Sequence, residues 1–387
     1  MTRKQIVIRI IIFTILLLPL WMYLAWLLTP KKKLVAAIID KTVLTPAGQE
    51  HASLAWVLNY NRYTKNKTKL YDVSGDYFGF FPKQDEKFRI KGLERFSDAQ
   101  LDQLSNDADL VYLTDAYGIY RNEWYARRNV AERSGIIYGG MSMQDITLLT
   151  DMKAKHKLVL TEFNCIGSPT SDDVRTRFEK LFALKWTGWT GRFFDSFDTS
   201  LNPELPKWLI RNYEAEHNGH WPFKKSGIAF VSNNDRVVIL EDQMHVTQPV
   251  PRLVTTDAAA EHIGVPKDLH YPFWFDVINT DTTVNTITAR FQLDLNDSGR
   301  HELSKNGIPF SFPAIQMHKG KDYQFYYFSA DFCDNPISLN TSYFKGIGMF
   351  KYLFYSRVDP ADRAGFFWRY YRPLLNNILN EYYTEKP

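Results

Sequence analysis

From residue 34 to about residue 200, short apolar, β-branched runs alternate with stretches of helical periodicity. The runs are LVAAIIDKTV (34–43), TKLYDVSGDYFGFFP (68–82), DLVYLTDAYGIY (109–120) and KLVLTEFN (157–164). Between them, EHASLAWVLNYNRY (50–63) carries a helical stripe of Ala52, Ala55, Trp56 and Tyr60. SDAQLDQLSN (97–106) has Ser97 as N-cap and Gln100 completing a capping box. MQDITLLTDMKAK (143–155) is helical, and SDDVRTRFEKLFALK (171–185) places Asp172 and Asp173 in a first turn, where the helix dipole favours acids. A strand that returns parallel to its predecessor needs a crossover, usually a helix. The alternation therefore predicts an α/β fold: a mostly parallel sheet flanked by helices.

In such sheets ligands gather beyond the carboxyl ends of the strands. Those ends are Asp40 and Thr42, then Ser74, Gly75 and Asp76, then Asp115, Tyr117, Gly118 and Tyr120, and finally Glu162, Asn164 and Cys165. Asp115 and Glu162 close neighbouring candidate strands. Glycoside hydrolysis requires two carboxyls roughly 5–9.5 Å apart, so these two are the expected catalytic acids. Tyr117, Tyr120 and Asn164 are expected ligand contacts from the same rim.

Residues 201–225 form a Trp-rich bridge, with a helix over PELPKWLIRNYEAE, and the pattern then changes. GIAFVSNNDRVVILED (227–242) reads as a hairpin, WFDVINTDTTVNTITARFQLDL (274–295) as a second strand pair, and DYQFYYFSADF (322–332) as a further strand. AGFFWRYYRPLLNNILNEYY (364–383) is a closing helix, bent or started near Pro373. Residues 226–387 thus read as a β-rich α+β domain, or as further strands and an insertion added to the first sheet. Just before the bridge, WTGWTGRFFD (186–195) reads as a glycine turn that either stacks a sugar on Trp189, with Arg192 as a fork for a carboxylate or phosphate, or packs two indoles into a junction.

Ahead of all this stands IIIFTILLLPLWMYLAWLL, the 19 uncharged residues from Ile10 to Leu28. That is close to the roughly 20 residues that cross a hydrocarbon core and longer than the roughly 7–15 of a cleaved signal peptide. Residues 1–33 are expected to be a transmembrane signal anchor, making this a single-pass cell-membrane protein with its large domain outside the cytoplasm. Lys31, Lys32 and Lys33 balance Arg3, Lys4 and Arg9 across the span, so charge does not fix the orientation. The net charge of the 387 residues is only +4 and no dense basic stripe appears, which excludes nucleic acid as a partner. Aromatics reach 15%. That suits a glycan ligand, because ring faces stack while indole and phenol groups hydrogen-bond, and it equally suits an aromatic core.

The two cysteines, Cys165 and Cys333, are expected to be unpaired thiols. Cys165 followed by Gly167 resembles the G-x-C-x-G elbow of the class I glutamine amidotransferases, and the layout of residues 34–200 is similar to that α/β superfold. The resemblance implies the fold. Phe163 stands where the first elbow glycine belongs, and no His-x-Glu follows to activate the thiol. The resemblance therefore implies no amidotransferase activity, and Cys165 reads as a small buried side chain at a strand end. The phrases DAYGIY, YGGM, FN-x-x-x-SPT, WTGWTGRFF and FSADF-x-DNP resemble those of uncharacterised bacterial membrane-anchored proteins, a likeness that implies no mechanism.

No His-x-x-x-His, His-Glu-x-x-His or Cys-x-x-Cys occurs, so neither a metal centre nor a cofactor is expected. Asp331, Asp334 and Asn335 in FSADFCDNP read as an Asx turn before Pro336 rather than a cation loop. Two functions fit the sequence: a membrane-anchored, hydrolase-like protein acting on a cell-envelope glycan, or a non-catalytic binding or assembly module on an enzyme-like fold.

Overall fold

The computed structural model describes residues 5, 9, 13–126 and 132–386. It opens with a helix, α1 (Leu18–Leu28), and then builds the expected alternation: β1 (Ala36–Asp40), α2 (Gln49–Tyr60), β2 (Phe78–Pro82), β3 (Phe88–Lys91), α3 (Asp98–Asp107), β4 (Leu110–Leu113), α4 (Met143–Ala154), β5 (Leu158–Thr161) and α5 (Asp172–Phe182). The chain continues through β6 (Leu184–Phe194), β7 (Gly227–Ser232), β8 (Val237–Glu241), β9 (Val246–Thr255), β10 (Asp268–His270), β11 (Trp274–Thr280), β12 (Thr286–Leu295), β13 (Ser311–Lys319) and β14 (Gln324–Phe328).

The large sheet has ten strands in the order β10-β9-β12-β13-β14-β5-β4-β1-β2-β3. Its parallel part runs β14-β5-β4-β1-β2. Ranked by sequence, those five strands stand in the order 2-1-3-4-5, a doubly wound arrangement whose direction of growth reverses between β1 and β4. Antiparallel strands from the second half of the chain extend this same sheet through the β13–β14 pair. A second, four-stranded antiparallel sheet, β8-β7-β6-β11, packs on that extension through Phe275, which stands beside Phe230 and meets Phe291 and Phe312.

Alternation along the parallel strands divides the core into two layers. Ala37, Ile39, Val111, Leu113 and Val159 face α3, α4 and α5, where Leu101, Leu149 and Phe178 cover them. Ile38, Leu110, Tyr112, Leu158 and Leu160 face α2 and the C-terminal helix Arg372–Glu385. The capping box of Ser97 and Gln100 forms as expected. The closing helix changes register at Phe367–Tyr371, a π stretch just before Pro373, whose ring cannot donate to the preceding turn.

Two expectations are corrected, and a third falls partly outside the described residues. The WTGWTGRFF stretch is not a turn but the interior of β6; a bulge between Trp186 and Thr190, with Gly188 at φ +88°, turns both indoles inward. The strand pair expected over 274–295 is split between the sheets: β11 joins β6, whereas β12 joins β9 and β13. Of the membrane span expected over Ile10–Leu28, residues 13–16 and α1 are helical, joined by backbone hydrogen bonds from the Leu17 N–H to the Phe13 carbonyl and from the Trp21 N–H to the Leu17 carbonyl. Residues 10–12 lie outside the described residues, and no helix among the described residues is long and apolar enough to cross a membrane. The carboxyl end of α1 is instead tied to the fold. Trp26 is buried, and its indole donates to the Asn59 carbonyl at 3.0 Å. Arg62 stacks on that indole and donates to the Trp26 and Thr29 carbonyls at 3.1 and 2.9 Å, which satisfies groups a helix end leaves open.

Candidate functional site

β1, β4, β5 and β14 end side by side, and each delivers an acid at or just past its carboxyl end: Asp40, Asp115, Glu162 and Asp331. The reversal between β1 and β4 leaves a crevice there, because successive crossovers leave to opposite sides. Asp40 and Asp115 flank it. The backbone stitches its rim: Lys41 N–H donates to the Asp115 carbonyl at 3.0 Å, and Gly118 N–H donates to Thr42 Oγ1 at 2.9 Å. Gly79 keeps β2 tight against this rim, because a Cβ there would lie 1.7 Å from the Asp40 carbonyl oxygen.

Helix α2 adds Glu50 and His51 from its first turn. His51 Nε2 donates to the Val73 carbonyl at 2.7 Å, and its Nδ1 hydrogen-bonds Asp40 Oδ2 at 2.5 Å. The segment after β14 adds Cys333, Asp334 and Asn335, all buried, and Asn335 Nδ2 donates to Ser53 Oγ at 3.0 Å. Cys333 Sγ lies 3.4 Å from Asp331 Oδ1 and 3.8 Å from Glu50 Oε2. These three ligating atoms lie within 4.8 Å of one another. Arg363 closes the cluster: its guanidinium pairs with the Asp334 carboxylate and lies 3.6 Å from the Phe273 ring centroid. Lys41, the other buried cation here, is engaged elsewhere, 2.7 Å from Asp145 and 2.6 Å from Glu94. Burial opposes its charge, but those two carboxylates carry its pKa above the usual lysine value.

So many acids with so little compensating charge must hold protons. Burial pushes the Glu162 carboxyl up to about 8, with the Tyr112 hydroxyl drawing it down and Asp331 repelling it upward. Tyr112 donates to Glu162 Oε1, Tyr371 lies beside it, and Oε2 is buried without a hydrogen-bond partner. Burial likewise raises Asp115, with Asp331 adding repulsion while the Tyr117 N–H, 2.5 Å away, opposes the shift. Glu50 is raised by burial and then by Asp331 and Asp334, and Asp331 by burial and then by Asp334. Like charges this close cannot all ionise, so the cluster holds carboxyl and carboxylate together over a broad pH range.

A cleft of about 400 Å³ opens beside the cluster, lined by Arg192, Phe194, Asn202, Glu204, Phe273 and Arg363 among others. Arg363 is the partition, with its guanidinium in the cleft wall and Asp334 behind it. Backbone ties continue inward: Tyr271 Oη donates to the Asp331 carbonyl at 2.7 Å, and Asp331 N–H donates to the Trp274 carbonyl at 3.1 Å.

The expected site residues separate accordingly. Asp115 and Glu162 join the acid cluster. Arg192 lines the cleft, but it already pairs with Glu204. Trp189 is 7% exposed, packed in the core and no stacking shelf. Tyr117 and Tyr120 pack on each other with ring centroids 4.7 Å apart, and Tyr117 stays exposed on the loop after β4. Asn164 turns the chain at φ +63°, and its N–H donates to Asp276 Oδ2 at 3.2 Å. Cys165 is buried in the opposite core layer with burial raising its thiol pKa, as an inert packing residue requires. Glu50, His51 and Arg363 went unrecognised in the sequence, whereas Asp331 and Asp334 read there as an Asx turn and Cys333 as an unpaired thiol. The available signal was Glu-His-x-Ser opening an otherwise apolar helix, in which every residue from Glu50 to Tyr60 is buried.

The sequence matches no protein-family model and no curated protein. Among solved structures, a ThuA-like protein from Parabacteroides merdae ATCC 43184 superposes with a TM-score of 0.36 at 11% identity, over 77% of this chain and 79% of that one. A β-galactosidase from Bacillus circulans sp. alkalophilus gives 0.32 at 11% identity over 78% of this chain, and the carbohydrate deacetylase Agd3 gives 0.32 at 7% over 77%. The matched region spans 30% and 29% of those two longer chains. At such scores none of these likenesses bears on activity.

Proposed function

We propose that this chain is a hydrolase-like protein acting on a cell-envelope glycan, with its reaction centre at the carboxyl ends of β1, β4, β5 and β14. The observation that carries the reading is the buried carboxyl cluster at the reversal point of the sheet, beside a polar and aromatic cleft. Glu162, at about 8, keeps its proton at neutral pH and serves as general acid. Asp115 is assigned as base or nucleophile; burial and Asp331 raise its carboxyl, and the Tyr117 N–H, which favours the ionised form, opposes that shift. The cleft suits a sugar: Arg192 lies among the rings of Phe194, Phe273 and Trp274, with Asn202 and Glu204 as hydrogen-bonding groups. The uncharged run Ile10–Leu28 supports placing the protein at the cell membrane, and we place this domain on the outer side as part of the proposal.

A competing reading, a non-catalytic binding module, draws on the enclosure of Glu162, which is 0% exposed. One experiment separates them. The purified full chain is incubated with envelope polysaccharides, and release of reducing ends is followed alongside binding. The hydrolase reading expects turnover that falls at least about 100-fold in both Asp115→Asn and Glu162→Gln. Binding by the wild type without turnover, surviving both substitutions, would establish the binding module instead.

A further inference from the structure

We propose that Glu50, Asp331 and Cys333 form a binding site for a divalent transition metal of borderline softness, with Zn²⁺ the first candidate. The inference does not depend on the hydrolase reading.

Geometry comes first. A tetrahedral zinc ion with a bond of about 2.3 Å to sulfur and about 2.0 Å to carboxylate oxygen holds those two ligands roughly 3.6 Å apart. Cys333 Sγ lies 3.4 Å from Asp331 Oδ1 and 3.8 Å from Glu50 Oε2, spacings that bracket this edge. All three atoms lie within 4.8 Å of one another. They arrive from two places in the chain: Glu50 from the first turn of α2, Asp331 and Cys333 from the segment after β14.

The surroundings point the same way. A thiol has one proton and can satisfy only one of the two carboxyls that approach it. Glu162, which Cys333 approaches and Asp331 repels, is 0% exposed, and its Oε2 is buried with no hydrogen-bond partner. That unpartnered oxygen lies beside the trio and marks the pocket as incompletely satisfied. Charge closes the argument. A dication with one thiolate and two carboxylates leaves one net negative charge, close to balance beside the Arg363 guanidinium, which pairs with Asp334 and also acts on Asp331. The donor set excludes Mg²⁺ and Ca²⁺, which take oxygen ligands, and suits Zn²⁺ or Co²⁺. On binding, the thiol and any protonated carboxyl release their protons to the buffer.

The test uses Co²⁺, whose bond to a thiolate is read by absorbance without any substrate. The full chain is stripped with chelator and titrated with Co²⁺. The expected result is one equivalent bound, a sulfur-to-cobalt charge-transfer band in the near ultraviolet, and bleaching of that band by stoichiometric Zn²⁺. Cys333→Ser should abolish the band, whereas Cys165→Ser should leave it intact. Glu50→Gln should retain the band and weaken Co²⁺ binding by more than about tenfold. No band in the wild type, or a band that survives Cys333→Ser, would overturn the proposal. Glycan turnover plays no part in the readout, so failure here leaves the hydrolase reading standing, and the reverse.

Discussion

Replacing Glu162 with glutamine is expected to flatten the pH dependence of stability. In the folded chain burial holds this carboxyl at about 8, against 4.5 when it is exposed. Between those values the folded state keeps a proton that the unfolded state has released. Stability therefore falls as pH rises through that window and is flat on either side of it. Between pH 5 and pH 8 the loss amounts to about 3 kcal/mol from this one group. Glutamine cannot titrate, so the variant should lose that much less over the same interval. Its absolute stability at pH 5 should drop by about 1–3 kcal/mol, because the new NH₂ sits where Oε2 had no partner. The slope, not the absolute value, is the readout. Urea unfolding of the full chain, followed by tryptophan fluorescence in chelator at pH 5, 6, 7 and 8, gives it directly. A wild type more stable at pH 8 than at pH 5, or a Glu162→Gln variant with the wild-type slope, would refute the claim that burial governs this carboxyl.

Four further substitutions probe the frame around the site. Asp276, pushed by burial up to about 6 though Thr190 donates to it at 2.8 Å, should contribute a smaller fall of about 2–3 kcal/mol as pH rises from 4 to 7, absent in urea titrations of Asp276→Asn. Gly79→Ala forces a Cβ to within 1.7 Å of the Asp40 carbonyl at φ +151°, and should cost more than about 3 kcal/mol in the same assay. Lys41→Met strands Asp145, which is 0% exposed, and should cost about 3–5 kcal/mol, partly recovered in the double variant with Asp145→Asn. Arg62→Ala removes the guanidinium from the carbonyls at the end of α1, and tryptic cleavage at Lys31–Lys33 should quicken roughly tenfold while the urea midpoint of the domain moves little.

The alternation of β1 to α5 was legible because each element carries its own periodicity and cap: Ser97 with Gln100, and the apolar fours of Leu110–Leu113 and Leu158–Thr161. From there the strand-end rule led to Asp40, Asp115 and Glu162, which stand at or just past the carboxyl ends of β1, β4 and β5. It failed for Ser74 and Asp76, because β2 begins only at Phe78 and those residues precede the strand. It could not reach Asp331. Local pattern shows that Gln324–Phe328 is a strand but not that it lies parallel to β5, with Tyr327 opposite Thr161, more than 160 residues away in sequence. Trp189 misled because Trp-Thr-Gly-Trp has turn chemistry, and only pairing with Ser232 across β7 shows the stretch to be a bulged strand. The common cause is that register between distant strands is a tertiary property. The candidate site sits at such a junction: acids contributed by four strands and one helix meet only when the 2-1-3-4-5 order is built. No local spacing announces them, and the thiol that looked most like a nucleophile, Cys165, lies in the opposite core layer from the one, Cys333, that faces the acids.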